Sequence, residues 1–200
     1  RLATSATGTS VATMLLAGIA ISALAGALNS LLSFFADDEM LRRISLWQMG
    51  SLDAANWPRV WIAAAAVAVV MLMLPREGAA LNAFLLGESE ARHLGIEVDV
   101  VKRRLILMTA MAIGVSVAVA GTISFVGLIV PHIVRLLIGP DHRYLIPASA
   151  LAGAMLLILA DAVARVVVAP AELPAGILTA LLGTPFFFSL LAQKRRVEER

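Results

Sequence analysis

Leu105-Ile-Leu-Met-Thr-Ala-Met-Ala-Ile-Gly-Val-Ser-Val-Ala-Val-Ala-Gly-Thr-Ile-Ser-Phe-Val-Gly-Leu-Ile-Val-Pro-His-Ile-Val134 is thirty residues without an Asp, Glu, Lys or Arg. A membrane-spanning helix needs about 20 apolar residues. The run is therefore too long for one span and too apolar for a soluble domain, and its division sets the topology. Basic segments lie on either side of it: residues 92–104 carry four Lys/Arg and residues 194–200 another four. The positive-inside rule places both in the cytoplasm, so an even number of spans must separate them. Read as one span, the run leaves three. Read as two short spans turning near Gly121-Thr122, it leaves four, and Gly121 suits the turn because glycine tolerates positive φ. The second division also brings Arg135 and Arg143 inside. It leaves 11 Lys/Arg inside against four outside (Arg42, Arg43, Arg59 and Arg165).

Composition agrees with a membrane protein. Hydrophobic residues make up 60% of the chain and charged residues 15%, where soluble domains run at about 45–50% and about 25%. Backbone groups in lipid must be satisfied internally, so spans are helices or a closed barrel. Long runs rich in Leu, Ala and Gly favour helices over the alternating segments of about 10 residues in a barrel. The predicted fold is an all-α integral membrane protein of six spans, at about 11–35, 57–74, 105–120, 123–138, 147–168 and 175–192, the first running outward. Leu41 to Leu52 reads as a short amphipathic helix with Trp47 as an interfacial anchor, and Trp57-Pro58 suits a span start. Residues 76–104 form a polar cytoplasmic segment. With no cysteine, disulfides and thiolate metal sites are excluded. The small net charge of +2, with its Lys and Arg at span ends, marks topology signals and no nucleic-acid surface. The chain opens Arg1-Leu-Ala-Thr-Ser without Met and reads as part of a longer one.

Several motifs follow one another in order. They are Gly121-Thr-Ile-Ser-Phe125-Val-Gly127-Leu-Ile-Val-Pro131-His132-Ile-Val-Arg135, then Asp141-His-Arg143, Ala160-Asp-Ala-Val-Ala-Arg165, Ala171-Glu-Leu-Pro-Ala-Gly176 and Gly183-Thr-Pro-Phe-Phe187. In these the chain resembles the FecCD/BtuC-type permease subunits of type II ABC importers, which carry iron-siderophores, haem and cobalamin. The resemblance covers essentially all 200 residues. It implies a subunit of about ten spans, of which this chain is similar to the fifth span onward. Leu15-Leu-Ala-Gly-Ile-Ala20, Ala36-Asp-Asp-Glu-Met-Leu-Arg42, Trp47-Gln-Met-Gly-Ser-Leu52 and Glu90-Ala-Arg-His-Leu-Gly95 resemble haem permeases most, whereas Ser22 stands where those usually carry Asn. The implied partners are a second permease copy, two ATPase subunits that hold the ATP and Mg, and a periplasmic binding protein. The implied place is the bacterial inner membrane. The chain itself is expected to be no enzyme and to carry no cofactor or metal.

The resemblance also implies roles. Gly87 and Gly95 bracket a short helix, with Gly95 suited to follow a helix end. Gly87, Glu90, Ala91, Leu94 and Gly95 are the expected ATPase-coupling residues, against the alternative of an ordinary interfacial loop helix. Asp161 and Arg165, four apart in the favourable acid-first order, read either as a local pair snorkelling to the interface or as a docking point for an acidic knob on the binding protein. Gly18, Ser22, Gly26, Asn29 and Ser33 share one face of the first span. Small residues on one face favour close helix packing, while the resemblance makes Ser22 and Asn29 translocation-path candidates. His132 is read as a structural polar contact, with a transient haem contact as the sharper alternative. Met14, Met71, Met73, Met108, Met111 and Met155 read as span filler. His93 and His142 read as loop residues.

There is no Gly-x-x-x-x-Gly-Lys followed by Ser or Thr, so no nucleotide-binding loop is present in the sequence. Asp141, Asp161 and Glu172 are the acids within or beside the later spans. That is thin for an ion-coupled secondary transporter, the second function class. A b-type cytochrome anchor would need paired intramembrane His ligands, and only His132 is available.

Overall fold

The computed structural model describes residues 4–5, 8–9, 11–168 and 173–198, with side chains at 13–168, 173–190 and 192. Apart from a strand pair, β1 (Thr4–Ser5) with β2 (Gly8–Thr9), the described elements are helices. The chain divides into two compact units, 1–45 and 46–200.

In the first unit, α1 (Val11–Phe34) is apolar on every side, as a lipid-facing or partner-facing helix must be. The following helix α2 runs Asp38–Gln48, starting three residues and ending four residues earlier than the sequence suggested. Its start is set by Asp37, whose Oδ1 accepts the Met40 N–H at 2.8 Å. Asp38 and Glu39 in the first turn complement the helix dipole.

The second unit holds α3 (Trp57–Met73), a 3-10 turn at Leu74–Glu77, α4 (Gly78–Phe84), α5 (Glu88–His93), α6 (Val98–Ala120), α7 (Val126–Ile138), α8 (His142–Val167) and α9 (Ala175–Glu198). Asn56 caps α3 by accepting the Arg59 N–H at 3.0 Å, with Pro58 in the first turn. The long uncharged run is cut after Ala120, and the chain re-enters helix at Val126. Two helices start earlier than expected. Lys102, Arg103 and Arg104 stand on the first turns of α6, not in a loop. α8 starts at His142 instead of Pro147, because Asp141 caps it through the Arg143 N–H at 2.9 Å.

The helices α1, α6 and α8, and the stretch Trp57–Phe84, are long and apolar enough to cross a membrane. Val126–Ile138 and Ala175–Leu190 are apolar but shorter. At about 1.5 Å per residue, α7 covers only about 20 Å of a hydrocarbon core about 30 Å thick. It gains its place by packing. Val126, Val130 and Val134, four apart, lie against Leu145, Ala148, Ala152 and Leu156 of α8. The alanines let the two backbones approach closely. Both helices also pack against α9, and α3 packs against α6.

Candidate functional site

Between α3 and α6 the chain makes an elbow. The 3-10 turn and α4 carry it away from α3, Gly87 redirects it into α5, and Gly95 redirects it again into α6. Gly87 sits at φ 109°, ψ 155°, a region open essentially to glycine alone, and its carbonyl accepts the Ala91 N–H at 3.0 Å. The elbow has its own small core: Ala83, Ala91 and Val98 are buried, with Phe84 and Ile96 packed on them. Ion pairs fasten its surface, Glu88 with Lys102, Arg92 with Asp99 at 3.1 Å and Glu77 with Arg104 at 3.5 Å. Leu85, Leu86 and Leu94 are exposed on this segment, together with Glu90, Arg92 and His93. Of the five residues singled out from sequence, Gly87, Glu90, Leu94 and Gly95 are exposed. Ala91 is fully buried and can only hold the helix in place.

Asn82 of α4 ties the elbow to α8. Its Nδ2 donates to Asp141 Oδ1 at 2.7 Å, and its Oδ1 accepts the His142 backbone N–H at 2.8 Å and lies 2.9 Å from His142 Nδ1. The Asn82 amide, then the Arg143 N–H, hold the Asp141 carboxyl below its ordinary value of 3.8. Nearby, a Cβ on Gly78 would lie 3.1 Å from Arg143 Cγ and 3.3 Å from its Cα. His142 is thus no loop residue but the bonded first residue of α8. Sequence reasoning did not find Asn82. The cap residue Asp141 ahead of a helical run was the available signal; its partner, 59 residues away, gave none.

At the far end of these helices, residues 47–51 are pressed between two glycines. A Cβ on Gly121 would come within 1.9 Å of the Trp47 carbonyl oxygen, and one on Gly176 within 2.1 Å of that of Met49. The Gly176 N–H donates to Gly50 O, and the Ser51 N–H to Ala120 O, both at 2.9 Å. Gly121 therefore serves twice, at φ 74°, ψ −164° as the end of α6 and as a seat for another backbone. Phe125, at the start of α7, is the non-glycine residue with positive φ among those described, at 66°. Its side chain lies over Gly183 of α9, where a Cβ would meet Phe125 Cβ at 2.4 Å. Two turns further along α7, His132 meets the Phe186 ring edge-on at 6.0 Å. The two sequence motifs around 121–135 and 183–187 are thus one contact surface between α7 and α9. His132 makes an aromatic contact there, which the sequence reading had as a polar one. Gly127 faces open space, and Arg135 lies in the last turn of α7. The cavity between α7, α8 and α9, walled by Ile129, Leu156, Thr179 and Phe186, holds about 120 Å³. That is space for a benzene-sized molecule, far short of a macrocycle.

Also at the far end, Arg165 Nε bonds Asp161 at 2.7 Å, and its second nitrogen reaches Asp53 at 2.8 Å. The i,i+4 spacing gave the first partner; Asp53, on the loop before α3, was not readable. In α1, Ser22 is exposed, Cβ atoms on Gly18 and Gly26 would meet nothing within 4 Å, and the Ser33 hydroxyl donates to Asn29 O at 2.9 Å. Among the described residues no group of three or more His, Cys, Asp or Glu could hold a metal. Glu172 and the side chains of Lys194, Arg195 and Arg196 lie outside the described residues.

The FecCD transport family model matches residues 1–193. The chain is 48% identical over 185 residues to the hemin transport system permease protein HmuU of Yersinia pestis, covering 92% of this chain and 55% of that protein. It is 43% identical over 182 residues to the vitamin B12 import system permease protein BtuC of Vibrio cholerae, covering 91% and 55%. A solved ABC transporter assigned to the metal-chelate type, in an inward-facing conformation, superposes with a TM-score of 0.85 at 36% identity, over 92% of this chain and 60% of that one. The chain spans about half the length of the curated relatives it matches.

Proposed function

The chain belongs to the FecCD transport family, and on that premise we propose that it forms part of the permease subunit of an ATP-driven importer carrying haem across the bacterial inner membrane. The family is one of ABC permease subunits, which are not enzymes themselves. One observation carries the reading: the family likeness runs unbroken through residues 1–193, and it is 48% to a hemin permease against 43% to a vitamin B12 permease.

In this reading the elbow is the cytoplasmic docking point of a separate ATPase subunit, which supplies the ATP and Mg. Leu94 and Glu90 meet the partner, Gly87 and Gly95 set the angles, and Ala91 anchors the helix from beneath. The far end faces the periplasm, where Arg165 meets an acidic group of the binding protein. The α1 face bearing Ser22 and Asn29 lines the path, paired across a two-fold axis with a second permease copy. Transport follows if ATP binding favours one arrangement of the elbow over another, since an effector shifts an equilibrium only by its differential affinity. No cofactor is assigned to this chain.

The test is deletion of the full-length gene in its host, with growth scored on haem or on a ferric siderophore as sole iron source. Loss of growth on haem alone supports the reading. Loss on the siderophore alone keeps the importer class and replaces the substrate. A cobalamin requirement would do the same.

A further inference from the structure

Asn82 stands out because its whole side chain is used between two elements that no sequence signal connects. The orientation of its amide is fixed by chemistry. A backbone N–H can only donate, so the atom 2.8 Å from the His142 nitrogen is the carbonyl oxygen. The NH₂ then faces Asp141, and His142 Nδ1, 2.9 Å from the same oxygen, carries its proton. The first turn of α8 is therefore capped from two sources. Asp141 takes the Arg143 N–H, and Asn82, from another helix, takes that of His142. Four residues before Asn82 on the same face of α4, Gly78 lies close against Arg143. The elbow thus grips α8 at two points one helical turn apart. From there α8 runs 26 residues, about 39 Å at 1.5 Å per residue, and near its other end stand Asp161 and Arg165, which bonds Asp53.

We propose that the clasp of Asn82 with Asp141 and His142 is the joint that makes α8 move with the elbow, and that Asn82 is a positioning residue coupling ATP hydrolysis to transport. The proposal rests on the importer reading above. A helix gripped at one end by hydrogen bonds and close packing moves as a rod with whatever holds it. A helix released there leaves the elbow free to follow the ATPase alone. Asn82→Asp breaks the joint, because two carboxylates would then face each other where a donor met an acceptor. Asn82→Ala removes both bonds without adding a charge and leaves Asp141 to cap the Arg143 N–H. Asp141→Asn keeps the joint, because a single oxygen, Asp141 Oδ1, accepts from both Asn82 and Arg143, and an amide oxygen can do the same.

The experiment compares wild type, Asn82→Asp, Asn82→Ala and Asp141→Asn in the full-length gene product, reconstituted with its ATPase and loaded binding protein in proteoliposomes. ATP hydrolysis and haem uptake are read together. The expected result for Asn82→Asp is retained hydrolysis with uptake per ATP reduced roughly ten-fold or more, within the usual range of coupling between sites. Asn82→Ala is expected to lose uptake per ATP likewise, and Asp141→Asn to keep most of it. An unchanged ratio in Asn82→Asp overturns the proposal. So does an Asn82→Ala protein that assembles, hydrolyses ATP and keeps the wild-type ratio, a readout that holds even if Asn82→Asp fails to assemble. A wild-type complex with no ATP-driven uptake of any candidate substrate fails the importer reading instead, before any variant is considered.

Discussion

Gly121 concentrates two demands on one residue. Its φ of 74° with ψ of −164° is essentially closed to side-chain-bearing residues, and its Cα faces the Trp47 carbonyl. Gly121→Ala is expected to destabilise the protein by about 2 kcal/mol or more, the cost of a forbidden backbone region with the clash added. Gly127→Ala, in the same motif but facing open space, should stay within about 0.5 kcal/mol. Thermal unfolding of the detergent-purified protein compares the two, and equal effects would remove the seat at Gly121 from the account. Phe125 shows the limit of reading at this scale. Nothing in its neighbours announces a left-handed Phe; its φ makes sense only beside Gly183, on another helix. Arg165 is a middle case, its pairing with Asp161 legible from spacing and its bond to Asp53 not. Because two carboxylates already orient it, Arg165→Glu should lower affinity for the loaded binding protein roughly ten-fold or more, as loss of an interfacial Arg does. Unchanged affinity in a binding assay would leave Arg165 a local residue.

Among the elements, the elbow was the most legible, because two glycines bracket it and charged residues crowd a chain otherwise apolar. Its inward face was not: Ala91 is buried against Ala83 and Val98, a register that only the folded elbow defines. The division of the 105–134 run was readable from charge arithmetic, since a break near Gly121 alone puts both basic segments on one side. Helix starts were misplaced at α2, α6 and α8 for one reason. Polar residues were read as loop when Asp37 and Asp141 were caps and the basic trio was the second turn of a helix. At this scale the exposed face of the elbow makes the prediction. Glu90→Arg reverses an exposed charge there, and Gly95→Trp thrusts a ring from a position at φ 82°. Both are expected to lower uptake at least about ten-fold while the protein still inserts in the membrane. Membrane fractionation, co-purification with the ATPase and uptake measure it together. Normal assembly and uptake would remove the elbow as the docking point.

For the whole molecule, α1, α7, α8 and α9 leave large apolar side chains exposed, which suits helices that meet lipid or other helices. What sequence alone left open was the substrate. A surface lined by the small residues of α1 carries no chemistry that tells a porphyrin from a corrin, and the identities of 48% and 43% lie close together. The importer class is the central claim, and it is a claim about the source of energy. The direct measurement is haem uptake into proteoliposomes holding the full-length permease, its ATPase and the loaded binding protein, with vanadate and a protonophore added in turn. The account predicts uptake that requires ATP, stops with vanadate and ignores the protonophore. Uptake that proceeds without ATP and collapses with the proton gradient would contradict it.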